Sequence, residues 1–459
     1  MTLLPASFIS RMKNTLGDEF DLFISSFQNS PPISLRINPQ KEMDLFKREE
    51  KVPWNKKGYY LQSRPEFVFD PLIHGGAFYV QEASSMFIEN FPDFSKDLRI
   101  LDLCAAPGGK STSLLSSMSS GSILFSNEMV HQRAQVLYEN LVKWGSPNVV
   151  VTYNKPEKYL SFTNYFDVVL VDAPCSGEGL FRKSPKYISE WRENKAGQCS
   201  LVQRNILDIA FSLVKEKGIL IYSTCTFSPL ENEEIVKWFY GKYKGYISPH
   251  HLDIPTEWNI KEELMETGDG KRQEIFKFYP HRLKGEGFFV TAFIKDKVIK
   301  NDHFLIYRQE KTKVADQLIK KEVEKFAEIP RNYSLICQEE KVFAIPSYYY
   351  REIVKASTTL NVLKSGVLMG TFNKRNGIFI PSHELVLSPF IKKGLPFINL
   401  EKTEAIKFLK KEEINASGSE GFENGWIIAK YSGLAIGWLK KSDKRLNNFY
   451  PKEWKIRKR

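Results

Sequence analysis

Two cysteines stand in short polar motifs far apart in the chain: Cys175 in VDAPCSGEG and Cys225 in STCTF, with Asp172 just before the first. A lone free cysteine is more often a small buried hydrophobe. Here each follows an apolar strand-like run and sits among proline, glycine and hydroxyl residues, which points to thiol chemistry. A thiolate that adds to carbon 6 of a cytosine ring makes carbon 5 electron-rich enough to take a methyl group from a sulfonium donor. A carboxyl at N3 stabilises the proton gained as charge develops. The carbon 5 proton must then leave and the thiol must be expelled, which requires a second acid or base beside the first sulfur. Cys225, Cys175 and Asp172 supply these groups.

A donor site is suggested upstream. The run LDLCAAPGGKST carries a strand straight into small residues and then a helix, and Ala105, Ala106, Gly108 and Gly109 allow a ligand close to the backbone. Taken alone, such a turn is also a plain strand-to-helix connection, and its lysine spacing is not that of a phosphate-binding P-loop. The next strand ends in SNEM, which places Glu128 where a carboxylate accepts hydrogen bonds from two ribose hydroxyls. Together they imply a nucleoside-containing cofactor.

The elements that must hold these groups read as alternating strands and helices over 95–295. Strands are expected at 98–104, 121–127, 148–154, 166–174 and 217–225, each a near-continuous apolar run of the kind buried on both faces of a parallel sheet. Helical stretches such as HQRAQVLYENLVKW and LVQRNILDIAFSLVKE separate them, giving an α/β fold with a doubly wound sheet. GEGFFVTAFIK (285–295) reads as a further strand, antiparallel at the sheet edge. Before this region, Leu16, Phe20, Phe23, Ile24 and Phe27 recur at helical spacing, SPPISLRINP reads as a strand, and Lys47 to Lys57 as a charged surface loop. After it come a charged linker and short strands with glycine turns, as in SGVLMGTFNKRNGIFIPSH and ENGWIIAKYSGLAIGWLK.

Composition sets the wider frame. The 459 residues allow two to four domains by the usual size of about 100–200 residues each. A net charge of +12 favours a polyanionic partner. Five scattered cysteines form neither a disulfide framework nor a metal-ligand spacing, and the histidines form no cluster, so free thiols in a reducing compartment and no metal are expected. With no long apolar run and an early-charged start, the chain reads as cytoplasmic, without a membrane partner. Cys199 and Cys337 lie outside any motif and read as structural, and His74 as a turn residue.

LDLCAAPGGK, DAPCSGEG and STCTF closely resemble the motifs of RNA 5-methylcytosine methyltransferases related to the NOP2/Sun proteins, and FYVQEASSM, RKSPKYISEW and GEGFFVTAFIK resemble the flanking segments of that family. The C-terminal runs SGVLMGTFNKRNGIFIPSHELV and GLAIGWLKKSDKRLNNFYPKEW resemble the tail of the bacterial small-subunit methyltransferase F branch, which carries a PUA-like RNA-binding module. The resemblance implies a Rossmann-like catalytic domain that uses S-adenosyl-L-methionine. It implies Cys225 as nucleophile, Cys175 as the group assisting product release, and Asp172 at the base and by the cofactor. Cys104, Ala105, Ala106, Pro107, Gly108, Gly109, Lys110 and Glu128 would line the cofactor. Asn154 stands where the family often has an aspartate, and its amide carbonyl is expected to hold the adenine amino group. The expected domains are an N-terminal α+β substrate domain (1–94), the catalytic domain (95–295), a linker with a small α+β module (296–365) and a PUA-like domain (366–459).

An enzyme reaching carbon 6 needs a flipped or single-stranded base. The last twenty residues carry Lys440, Lys441, Lys444, Arg445, Lys452, Lys455, Arg457, Lys458 and Arg459 against Asp443 and Glu453, a footprint for phosphates. Phe449, Tyr450 and Trp454 among them would stack on bases or pack on their own module. Arg182 and Lys183 would grip the target phosphate or serve as surface charges. The implied partner is RNA, 16S rRNA or the small ribosomal subunit first, with the chain a monomer. Methylation of tRNA or large-subunit rRNA, transfer to a nitrogen, a nicotinamide-dependent oxidoreductase and a non-catalytic assembly factor are the competing readings.

Overall fold

A computed structural model describes residues 4–41, 43, 45–267, 270–298, 313–414, 421–443 and 445–458. Part of the expected linker (299–312), and Lys444 and Arg459 of the basic tail, lie outside the described residues.

The N-terminal part opens with two helices, Ala6–Leu16 and Phe20–Ser26. Phe8, Met12, Leu16 and Phe23 form their buried stripe and pack against Phe181, Trp191, Phe227 and Tyr279, all from the catalytic region. The expected helical pattern thus holds for the second helix, while the first was not foreseen. A three-stranded antiparallel sheet follows, with β1 (Ile33–Ile37) between β2 (Gly58–Leu61) and β3 (Phe78–Val80). The segment 47–57 is not a simple surface loop. Val52 and Trp54 are buried in the hydrophobic core, and the Trp54 indole N–H donates to the Ala83 carbonyl at 2.7 Å.

All five parallel strands form where their apolar runs lie: β4 (Arg99–Asp102), β5 (Ile123–Glu128), β6 (Val149–Tyr153), β7 (Phe166–Asp172) and β8 (Val214–Thr224). Their spatial order is β8-β7-β4-β5-β6, so the chain winds outward from β4 in one direction and then from β7 in the other. The order reverses between β4 and β7, and ligands of open α/β sheets bind beyond the carboxyl ends of strands at that point. β5 is buried at every position and β7 at all but its last, because helices cover both faces.

The sheet extends further than the sequence suggests. Phe288–Lys295 does run antiparallel beside β8, but it is an inner strand, since Arg272–Phe278 and Lys261–Glu266 continue the sheet outward. On the far side, Val362–Ser365 adds antiparallel to β6.

A five-stranded antiparallel sheet spans Lys313–Val314 to Ile378–Pro381, and a four-stranded sheet spans Phe397–Asn399 to Arg445–Asn448. The expected division after residue 365 therefore falls inside a structural unit. Val367–Asn373 pairs with Lys341–Pro346, and backbone pairing binds the two sides of that boundary together. Among the described residues, no helix is long and apolar enough to cross a membrane.

Candidate active site

Local backbone geometry brings the motifs together. β4 ends at Asp102, and the turn Leu103–Gly108 feeds the helix Gly109–Ser117. Gly108 has φ +111°, a conformation that side-chain-bearing residues rarely adopt. Arg36 of β1 fixes this helix from behind. Its fully buried guanidinium donates to Gln81 Oε1 at 3.0 Å, Thr112 Oγ1 at 2.6 Å and Ser116 Oγ at 2.6 Å, and reaches the Gly109 carbonyl at 3.3 Å. The Pro107 carbonyl accepts from Asn140 Nδ2 at 2.8 Å.

A cavity of about 340 Å³ opens at the reversal of strand order. Cys104 and Ala106 of the turn line it, with Glu128 at the end of β5, Asp172 at the end of β7, Cys175 just beyond it, and Cys225 after β8. Ala105, Pro107, Gly108, Gly109 and Lys110 build the turn and the helix start behind that wall. The Cys175 and Cys225 sulfurs are 3.1 Å apart, and both are free thiols. Lys110 Nζ donates to Asp172 Oδ2 at 2.7 Å, and Ser223 Oγ donates to Asp172 Oδ1 at 2.9 Å. The two loops are therefore in reach of one small ring.

The surroundings set the charge states. Contact with Cys225, with burial second, pushes the Cys175 thiol well above its ordinary value, so Cys175 rests as a thiol. Burial pulls the Lys110 ammonium down, but the Asp172 carboxylate outweighs this and holds it above the ordinary lysine value. Burial also pushes Asp102, bonded by Ser111 Oγ at 2.7 Å, up to about 7.

Several supporting residues carry no motif. Glu231 is fully buried and accepts from the Ser176 amide at 2.8 Å, the Ser176 hydroxyl and Gln203 Nε2 at 3.1 Å. Ser176 Oγ also meets Thr226 Oγ1 at 2.7 Å, so the residues following the two cysteines are clasped together over one carboxylate. Burial raises that carboxylate to about 7. The Gly179 amide donates to the Cys225 carbonyl at 2.9 Å, and a Cβ at Gly179 would stand 2.4 Å from the Gly287 carbonyl oxygen, which explains the second glycine of GEG. Arg11 of the first helix reaches buried Glu178 at 2.6 Å. An acidic residue after FSPL reads as a helix-start charge, and Arg11 as an exposed one, so neither was legible. Arg133, which contacts Glu128 Oε2 at 3.3 Å and the Ala106 carbonyl at 2.8 Å, could have been found from its place in the helix after β5.

Two expected residues stand elsewhere, and the aromatics of the tail divide between packing and exposure. Asn154 does not line the cavity: its Oδ1 accepts from the Asn361 amide at 3.1 Å, because the strand added at Val362–Ser365 occupies that side of β6. Pro156 lines the cavity in this region instead. The Arg182 side chain is only 6% exposed and faces Glu286 at 3.7 Å, so it is not a surface phosphate grip. Tyr450 is buried against His383 and Phe408, and Trp454 packs on His383, so both fasten their module; Phe449 stays 42% exposed.

The donor set suits a nucleoside-containing cofactor. Glu128 offers a carboxylate at a strand end for ribose hydroxyls, Met129, Val130 and Pro156 offer apolar walls for a purine, and the turn at Cys104–Ala106 offers close backbone.

Comparison with known proteins agrees along the whole chain. The family model of 16S rRNA methyltransferase RsmB/F matches residues 93–294, that of the N-terminal domain of 16S rRNA methyltransferase RsmF matches 4–83, and that of the methyltransferase RsmF PUA domain matches 396–456. The ribosomal RNA small subunit methyltransferase F of Psychromonas ingrahamii is 28% identical over 98% of this chain and 97% of its own. That of Erwinia tasmaniensis is 31% identical over 63% of each. A methyltransferase homologue from Pyrococcus horikoshii superimposes with a TM-score of 0.52 at 26% identity, covering 63% of this chain and 94% of its own. NSun6 from the same organism shares the fold, with a TM-score of 0.53 at 19% identity over 64% of this chain and 99% of that one. Three models of one enzyme type follow each other in order, and a relative aligns nearly end to end: the chain belongs to the 16S rRNA methyltransferase RsmB/F family of S-adenosylmethionine-dependent enzymes.

Proposed function

We propose that this protein methylates carbon 5 of cytosine in RNA, with 16S rRNA as the substrate, through a covalent bond between Cys225 and carbon 6. The observation that carries the reading is the pair of free thiols 3.1 Å apart on a cavity that also holds Asp172. Bound S-adenosylmethionine supplies an electrophilic methyl group; Glu128 and the turn from Cys104 to Lys110 would hold it.

The protein's own groups divide the remaining work. Cys225 bonds to carbon 6 and shifts electron density to carbon 5. Asp172, held by Lys110 and Ser223, stands at N3 and stabilises the proton there. Cys175 assists release: its thiol proton passes to the departing Cys225 sulfur as the carbon–sulfur bond breaks, and the Cys175 sulfur takes up the carbon 5 proton in its place. Glu231 keeps the two cysteine loops in register. RNA as the partner is supported by the PUA-domain match, the names of the relatives and the net charge of +12.

The test is a pair of variants assayed on 16S rRNA with labelled donor. Cys225→Ser abolishes methyl transfer, and Cys175→Ala accumulates a protein–RNA adduct that survives denaturation. Unchanged turnover in both would defeat the two-thiol mechanism.

A further inference from the structure

A second crevice, of about 600 Å³, opens where three parts of the chain meet, and it shares no lining residue with the catalytic cavity. Its charged lining is one-sided. Lys41 comes from the N-terminal part, Lys392 and Lys393 from the connection between the two C-terminal sheets, and Lys430 from the four-stranded sheet. No aspartate or glutamate is among the lining residues.

The lysines are held by groups that leave their charge uncancelled. Lys41 Nζ donates to the Leu387 carbonyl at 2.5 Å, and Lys392 Nζ to the Glu324 carbonyl at 3.0 Å. Burial, without a neighbouring carboxylate, pulls the Lys41 ammonium down to about 8, and an anion in the crevice would reverse that cost. Lys430 Nζ lies 4.0 Å over the ring of Phe397, a residue that is 45% exposed. Ammonium groups beside an open aromatic ring suit a ligand that carries both phosphate and a flat base.

We infer that this crevice binds backbone phosphates of the substrate RNA, with an unpaired base against Phe397, at a place separate from the target cytosine. The inference rests on the proposed RNA substrate. It gives the C-terminal sheet a contact made jointly with the N-terminal part, so that an RNA strand is held across the junction that fixes their relative placement.

The experiment measures RNA affinity by filter binding over a salt series, together with lysine reactivity toward acetic anhydride read by mass spectrometry. Lys393→Glu with Lys430→Glu is expected to weaken RNA binding about tenfold or more and to flatten the log–log salt slope by roughly 0.7 per lost phosphate contact. Lys393→Arg with Lys430→Arg keeps the slope. In the unaltered protein, RNA shields Lys393 and Lys430 from acetylation, whereas inorganic phosphate at the same phosphate concentration does not. If the unaltered protein binds RNA while the charge reversal changes neither affinity nor slope, the crevice is not an RNA site. Shielding by inorganic phosphate alone would assign it to a small free phosphate. If the unaltered protein fails to bind or methylate RNA, the proposed function falls first and the inference falls with it.

Discussion

The carboxyl end of the parallel sheet and the seam between that sheet and the C-terminal part are both polar and both buried, yet they are assembled in opposite ways. At the sheet end, Cys104, Glu128, Asp172, Cys175 and Cys225 arrive on consecutive strand ends, each within a short motif. At the seam, partners come singly from distant segments. The Tyr333 hydroxyl donates to Asn148 Oδ1 at 2.6 Å. Lys364 and Glu384 pair at 2.6 Å with side chains 2% and 6% exposed, and the Tyr138 hydroxyl donates to the same carboxylate at 2.9 Å. Parallel topology gathers chemistry at one edge without long-range pairing in the sequence. A seam requires that pairing, and its contribution is to fix where the RNA-binding part stands.

Breaking the sheet-end cluster has the largest expected effect. Cys225→Ala removes the proposed nucleophile and is expected to lower kcat by at least about 10³-fold, measured by single-turnover methyl transfer, while its melting temperature stays close to that of the parent. Breaking the seam has the next largest effect, on stability. Lys364→Met leaves the Glu384 carboxylate buried without its cation and costs about 3–5 kcal/mol in urea unfolding.

How much of each region was legible follows from the same contrast. The strand runs of β4 to β8, the glycine turn and both cysteines could be read because each signal is local. The strand Val362–Ser365 could not, since nothing in VLKS announces that it will pair with β6, about two hundred residues upstream. The error over Asn154 is the direct result: the position is right for a cofactor contact until Asn361 takes its carbonyl. Tyr450 and Trp454 were open to two readings, and only burial decides for packing.

Two smaller effects sharpen the comparison. Asp102 lies under the sheet-end cluster with its carboxyl raised to about 7 from a usual value near 4. A raised acid contributes full stability below its unfolded value, and that contribution is lost as pH rises through about 7. Asp102→Asn should therefore flatten the fall in stability between about pH 4 and pH 7, with a relative gain of up to about 4 kcal/mol at the upper end, read from urea unfolding at each pH. Asn154→Ala belongs to the seam and should cost about 1–2 kcal/mol. Its affinity for S-adenosylmethionine, measured by calorimetry, should stay within about threefold of the parent, since the amide faces Asn361 and not the cavity. A much larger loss would return Asn154 to the cofactor site.

The central claim is a bond between one sulfur and one ring carbon. RNA bearing 5-fluorocytidine at the target position tests it, because fluorine does not leave carbon 5 as a proton does and the adduct is trapped. After digestion, tandem mass spectrometry should find the modified nucleotide on the peptide containing Cys225 in the presence of S-adenosylmethionine. A nucleotide on Cys175 instead, or methylated product with no adduct on either cysteine, would contradict the account.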